Sequence, residues 1–494
     1  MTTANQPQPS VIRPRLHRAL GAGVAMSVVV GNVIGSGIFL KPGNIASACG
    51  NFPLIISVWV AAGLLCALGA ICFAELATMF PEAGGPYVYL RHAYGKLPAF
   101  LFGWTELLLV RPASIAALST AFVGSFALAV GWSMTSYGQV LVASSLIVAM
   151  AWINIVGVLW GGRLQLLVTV VKGGFLVLVA LAPLLAGWSV DPGNFAPVPS
   201  PRNLSLAAQL GVVLMAVMWA YDGWHGVTPL AEEIENPQRN VPLALFGGIG
   251  ILMLLYVSAN IAYHSVLSNA ELQAAGNHAA EQMLFKLAGA PGRAAVSVAI
   301  MLSTFGAINS NLLLAPRVTF AMGRDRTFFR GLGAVHVNYR TPVVAIVVAA
   351  VTSIGLMVAV ALGKFLVSGV DASALGELSR RVVESLQQES AFELLTNFVV
   401  FSVGVFFILC VVGLMVLRRR EPHLERPYRT WGYPVVPIVF VLCYVAFMAQ
   451  AYLSQRFESQ MGLLGILLGV PVYFAYQKWG AGPEDDSPRP RALP

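Results

Sequence analysis

The chain has 494 residues, 57% of them hydrophobic and 11% charged, with a mean hydropathy of +0.74. So little charge excludes a soluble globular fold of this size and predicts an all-α integral membrane protein that crosses the bilayer many times. The formal net charge of +8 does not imply a nucleic-acid partner, because the basic residues are spread over short polar segments, where they act as orientation signals.

Twelve apolar runs are long enough to span, near 20–47, 54–80, 97–130, 137–158, 163–187, 207–230, 241–267, 293–322, 342–362, 393–417, 433–454 and 460–478. Lys and Arg concentrate before span 1 (Arg13, Arg15, Arg18) and in 324–340 and 418–429, which predicts that both termini are cytoplasmic. No small-residue cleavage site follows the N-terminal arginines, so no removed signal peptide is expected. The five cysteines fall mostly inside apolar runs without paired spacing, which predicts neither a disulfide framework nor a metal site.

Span 1 contains GNVIGSGIFLKPG, 31–43. Gly35, Ser36 and Gly37 let the helix unwind, leaving the N–H groups of Ser36, Gly37 and Ile38 free at the start of a second half. Unpaired backbone in hydrocarbon costs several kcal/mol, so such a break must line a cavity or bind something. Free N–H groups suit a carboxylate, and the carbonyls ending the first half, at Val33 and Ile34, suit an ammonium. Taken alone, the pattern fits equally a Gly-rich helix that permits close packing. Next in order, PEAGGPYVYLRHAYGK (81–96) predicts a re-entrant or interfacial helix on the inner side. Arg111 precedes Pro112 in span 3, where it marks a kink and caps carbonyls. Lys172 sits in mid-span 5, too far from either interface to snorkel.

Span 6 repeats the motif of span 1. Its middle, WAYDGWHG, places Trp219, Ala220, Tyr221, Asp222 and Gly223 at membrane depth. Asp222 either recognises a cationic side chain or accepts local hydrogen bonds, and the local role is favoured. His225 is expected to pack rather than to sense pH. Two broken helices five spans apart run in opposite directions, which is the signature of an inverted-repeat transporter with its site between the breaks. The expected organisation is a tail over 1–18, a first repeat over 19–187, a second over 207–417, spans 11 and 12 over 433–478, and a tail over 479–494. Glu232 and Glu233, ending span 6, form either an inner gate with loop arginines or a solvated turn. Asn309 in span 8 faces either the substrate or span 1. The 364–392 loop is expected on the outside, with a short amphipathic helix in ELSRRVVESLQQE. No catalytic pair or symmetric pore supports an enzyme or a channel.

GNVIGSGIF, AELATMFPEAGGPYVYL, EEIENPQRNVPLAL and LRRREPHLERPYRTWGYP, in that order, resemble the amino acid–polyamine–organocation superfamily. RPASIAALSTAF, AYDGW and FGAINS narrow the resemblance to the L-type amino acid transporter family, the bacterial relatives of heteromeric transporter light chains. The resemblance implies a five-plus-five inverted repeat of the leucine-transporter type and amino acid exchange without a chemical step. It further implies carboxylate contact at Ser36 and Gly37, amine contact at the carbonyls of Val33 or Ile34 and near Ala220, and an outer aromatic gate at Trp219. Lys172 matches the family's buried lysine and stands in for sodium beside span 1, with Asn309 assigned to the same region. The short loop between spans 3 and 4 holds no cysteine, so no heavy-chain partner is expected. The expected function is sodium-independent exchange of small neutral L-amino acids such as alanine, serine or threonine. The alternatives are proton- or potential-driven uptake and exchange of cationic amino acids. The expected partners are free amino acids and the lipid of a bacterial inner membrane, with no cofactor and no metal.

Overall fold

Eleven helices among the described residues are long and apolar enough to cross a bilayer, and a twelfth apolar helix is short because it ends at the second break. The computed structural model describes residues 18–479 except 157, 200–204, 337–338, 340, 372–374, 389 and 455. The tail arginines Arg13 and Arg15 and the 480–494 tail lie outside the described residues.

Span 1 is three pieces, α1 (Ala22–Val33), α2 (Gly37–Leu40) and α3 (Pro42–Ala48). Span 2 is α4 (Phe52–Met79), started by Asn51, whose side chain accepts the Leu54 N–H. Then come α5 (Pro86–Tyr94) and α6 (Lys96–Thr105), a π-helical turn (Glu106–Val110), and α7 (Arg111–Val130), which together with α6 makes span 3. Spans 4 and 5 are α8 (Ser136–Val156) and α9 (Val158–Leu185). The broken span 6 is α10 (Leu206–Tyr221), and span 7 is α11 (Pro237–Val266). After α12 (Asn269–Ala275), span 8 is α13 (Ala279–Arg324), bent at Gly289. The chain ends with α14 (Val343–Val367), α15 (Glu377–Gln388), α16 (Ala391–Arg420), α17 (Val435–Ser454) and α18 (Arg456–Trp479).

One expectation is corrected. The π turn and an ion pair, rather than carbonyl capping by Arg111, accommodate Pro112: Arg111 Nε donates to Glu106 at 2.6 Å and Nη1 donates to Asn311 at 2.9 Å. The helix expected in 81–96 forms as α5. It is buried against α6 and α16, and Tyr94 donates to the Leu409 carbonyl. Gly84 and Gly85, both at positive φ, make the sharp entry to α5, and a Cβ on Gly85 would press on Thr228 and Pro229. Gly289, at φ +66°, separates a short helix from the spanning part of α13, which follows it close to the expected 293, and the capping box of Ser268 and Glu271 starts a further helix, α12, that packs on α3.

Spans five apart pack on one another: α2 and α3 on α10, α4 on α11, α7 on α13, and α8 on α14. A two-fold relation between the halves brings those pairs together, and it sets the two breaks side by side.

Candidate functional site

At the first break α1 stops at Val33, and the Gly35 N–H turns back to the Val33 carbonyl at 2.7 Å. The N–H groups of Ser36, Gly37 and Ile38 take no backbone acceptor among the described residues, and the fully buried Ser36 Oγ has no partner. A Cβ on Gly37 would lie 2.7 Å from Ala220, so only glycine lets the two breaks meet here. At the second break α10 ends at Tyr221, Gly223 adopts φ +90°, and Asn32 Nδ2 donates to the Gly223 carbonyl at 3.1 Å. The chain continues as a 3-10 helix, Thr228–Glu233, not as a second α-helical half.

Between the breaks lies a small cavity. Of the candidate residues it is lined by Val33, Gly35, Ser36, Gly37, Trp219 and Asp222, joined by Asn32, Ser114, Leu118 and Asn311. Ile34, Ile38, Ala220, Tyr221 and Gly223 frame the breaks without lining it. The Ile34 carbonyl accepts from Lys172 Nζ at 2.6 Å and lies 3.0 Å from Ser303 Oγ, whose one proton is shared with the Gly35 carbonyl at 2.9 Å. The Tyr221 ring turns to α4, where its hydroxyl donates to the Trp59 carbonyl. The remaining pair of carbonyls, Val33 and Ala220, lie together, each 3.0 Å from the Tyr256 hydroxyl of α11. The one Tyr256 proton serves one of them at a time, and Val33 already accepts the Gly35 N–H, so the Ala220 carbonyl has the greater capacity left for a further donor.

Lys172 is 2% exposed. Its Nζ donates to the carbonyls of Gly31 and Ile34 on span 1 and of Ser303 on α13, the last at 3.5 Å. Three acceptors match the three donors of an ammonium. Asn309 is not part of this set: it accepts from Asn154 on α8 at 2.9 Å and donates to Gln165 on α9 at 3.2 Å. It does not line the cavity. Asn311, two residues on and therefore on another face of the same helix, lines the cavity instead. His225 packs among Phe73, Trp224 and Phe407.

Side-chain contacts flank the cavity on two sides. On one side Trp219 meets Phe392 edge-on at 6.0 Å, and the buried Lys41 pairs with Glu393 and donates to Thr396. Asn44 adds bonds to Glu393 and to Asn277. On the opposite side Glu233, 3% exposed, holds the 1% exposed Arg317 through both carboxylate oxygens at 2.9 and 3.2 Å. The Glu233 carbonyl also accepts the N–H groups of Ala19 and Leu20. Glu232 pairs with Arg324 at 2.9 Å. The turn is thus ion-paired rather than solvated, and Arg317 comes from within span 8 rather than from a loop. Tyr256, Ser303, Ser114 and Asn32 escaped the sequence reading, since single hydroxyls and amides on apolar helices carry no spacing signal.

Two helices broken at membrane depth around a small polar cavity, with side-chain contacts flanking it on two sides, define a multi-pass solute transporter working by alternating access. The chain belongs to the amino acid permease family, whose model matches residues 23–470. It is 30% identical to the serine/threonine exchanger SteT of Bacillus subtilis (strain 168), over 94% of this chain and 98% of that protein. It is 29% identical to the human b(0,+)-type amino acid transporter 1, over 94% and 89% of the two chains. The human cystine/glutamate transporter is 27% identical over 97% and 89%.

Proposed function

We propose that this protein exchanges small neutral L-amino acids across a bacterial inner membrane, independently of sodium and without a heavy-chain subunit. The observation that carries this reading is one small cavity lined by Ser36 and Gly37, whose N–H groups take no backbone acceptor, and by Val33, with the Ile38 N–H and the Ala220 carbonyl in the two breaks that frame it. The N–H groups take the α-carboxylate and the carbonyls the α-ammonium, so any free amino acid is held by its backbone. The cavity's size favours a short side chain. The names of the relatives, exchangers and transporters of amino acids, support the same class. The packing of spans five apart supports repeats over 19–187 and 207–417. Both termini are assigned to the cytoplasm, which puts the Glu233 pair at the inner mouth and Lys41, Trp219 and the 364–392 loop at the outer one. With no cysteine in residues 131–135, the loop after α7 offers no covalent link to a second subunit.

In the mechanism, substrate bridges the two breaks and draws α2 and α10 together. Trp219 then covers it, and the bundle rocks to open the opposite mouth. The empty cavity leaves the N–H groups and part of the carbonyl capacity unpaired, which disfavours crossing without cargo. Labelled alanine uptake into proteoliposomes should therefore rise at least several-fold when the lumen is preloaded with unlabelled alanine. Equal initial rates into loaded and empty vesicles, or uptake that follows only an imposed proton gradient, would replace exchange by net uptake.

A further inference from the structure

Once the α-carboxylate and α-ammonium are placed at the two breaks, the wall left for a side chain is formed by Ser114 and Leu118 of α7, Asn311 of α13 and Asp222. Among the described residues no cation lies within ion-pair distance of Asp222. The nearby guanidinium, Arg111, is engaged by Glu106 and Asn311. An ionised carboxylate only accepts hydrogen bonds, and at membrane depth it is costly unless donors reach it. The adjoining Gly223 N–H lies beside Asp222, and the rest of its accepting capacity is open to the cavity. A second group there also lacks a partner: Ser114 Oγ is 3% exposed, lines the same cavity and makes no hydrogen bond.

We propose that Asp222 is a specificity-determining residue that selects amino acids whose short side chain ends in a hydrogen-bond donor, a hydroxyl above all, with Ser114 as the second contact. This rests on the reading of the cavity as an amino acid site. A side-chain hydroxyl donates to Asp222 and accepts from Ser114, so both unpartnered groups are satisfied at once. An apolar side chain of the same shape leaves both unpaired. A site built to bond a hydroxyl discriminates strongly against the analogue lacking it.

Threonine and valine differ in that one group, and their competition against labelled alanine uptake into alanine-loaded proteoliposomes reads the effect. Threonine should inhibit about tenfold or more better than valine in the unaltered protein. Asp222→Asn and Asp222→Ala should bring the ratio below threefold, whatever the absolute rate, with Ser114→Ala in between. Should both Asp222 variants lose alanine binding altogether, the Ser114→Ala ratio decides alone. A ratio near one in the unaltered protein, or one unchanged in the variants that bind, overturns the proposal. So does competition by lysine or ornithine that exceeds threonine's and disappears in Asp222→Asn, which would make Asp222 a reader of cations. Absence of any alanine uptake would sink the exchange reading, whereas alanine uptake with equal threonine and valine inhibition sinks only this one.

Discussion

Lys172 shows how one side chain can hold an unwound segment in place. Its three carbonyl acceptors come from the end of the first half of span 1 and from α13. Hydrogen bonds to a charged group contribute about 1.5–3 kcal/mol each. Losing the ammonium leaves the Gly31 carbonyl without that donor and loosens the end of α1 that must present Val33. A Lys172→Ala protein should insert normally and exchange alanine ten- to a hundredfold more slowly, measured as initial rates at matched protein density. On the proposal that the Lys172 ammonium stands in for a cation, uptake by the unaltered protein should survive replacement of sodium by choline, and collapse in choline would refute that role. The sequence exposed Lys172 because a mid-span lysine is rare in itself. It did not expose Ser303 or Tyr256, because a hydroxyl in an apolar helix satisfies itself on the preceding turn as readily as it serves a site. Asn309 misled for a related reason: polarity at depth marks a polar contact, but only the helical phase relative to α7 and α9 decides that Asn311, and not Asn309, meets the cavity.

At the scale of elements, the breaks in spans 1 and 6 were readable because glycine, serine and aspartate interrupt hydrocarbon-length runs, which nothing but a site tolerates. The elements around them were harder to read. α12 and α5 are short and polar enough to pass for loops, and their burial is set by partners distant in sequence: α3 for one, α6 and α16 for the other. The helix in the 364–392 loop was visible from its charged and apolar faces and forms as Glu377–Gln388. One tie between elements has a measurable consequence. α3 is fastened to α16 by Lys41, Glu393 and Asn44, with Lys41 1% exposed and Glu393 about a fifth exposed. Removing one partner of a buried pair is destabilising, whereas replacing both with apolar groups often is not. Lys41→Met should therefore favour opening of the Trp219 side and raise the rate at which an impermeant thiol reagent reaches a cysteine placed at Ser36. The Lys41→Met, Glu393→Met pair should return that rate towards the parent's. Equal reactivity in all three would show that the pair does not hold this mouth closed.

For the whole molecule, the decisive feature is that side-chain contacts flank the cavity on both sides, so the two sets together bear on how often the empty protein crosses. The set at Glu233 joins three parts of the chain. Its carbonyl takes the N–H groups that lead into α1, its own segment continues from the second break, and its carboxylate grips Arg317 in α13. Spans 1, 6 and 8 must separate here before cargo can leave on that side. Both side chains are almost fully buried, so removing one leaves an uncompensated charge, at a cost of about 3–5 kcal/mol in such sites. That cost falls on the closed state, because an open mouth hydrates the orphaned charge. Glu233→Gln should accordingly shift the population towards opening at this face and weaken the dependence on internal amino acid. Uptake into empty vesicles should approach the rate into loaded ones, while exchange itself is slowed less than tenfold. A Glu233→Met, Arg317→Met protein, with no charge left to strand, should regain much of the parent's trans-stimulation. If Glu233→Gln keeps the full difference between loaded and empty vesicles, the obligation to exchange resides in the backbone groups at Ser36–Ile38, Val33 and Ala220 and not in this latch.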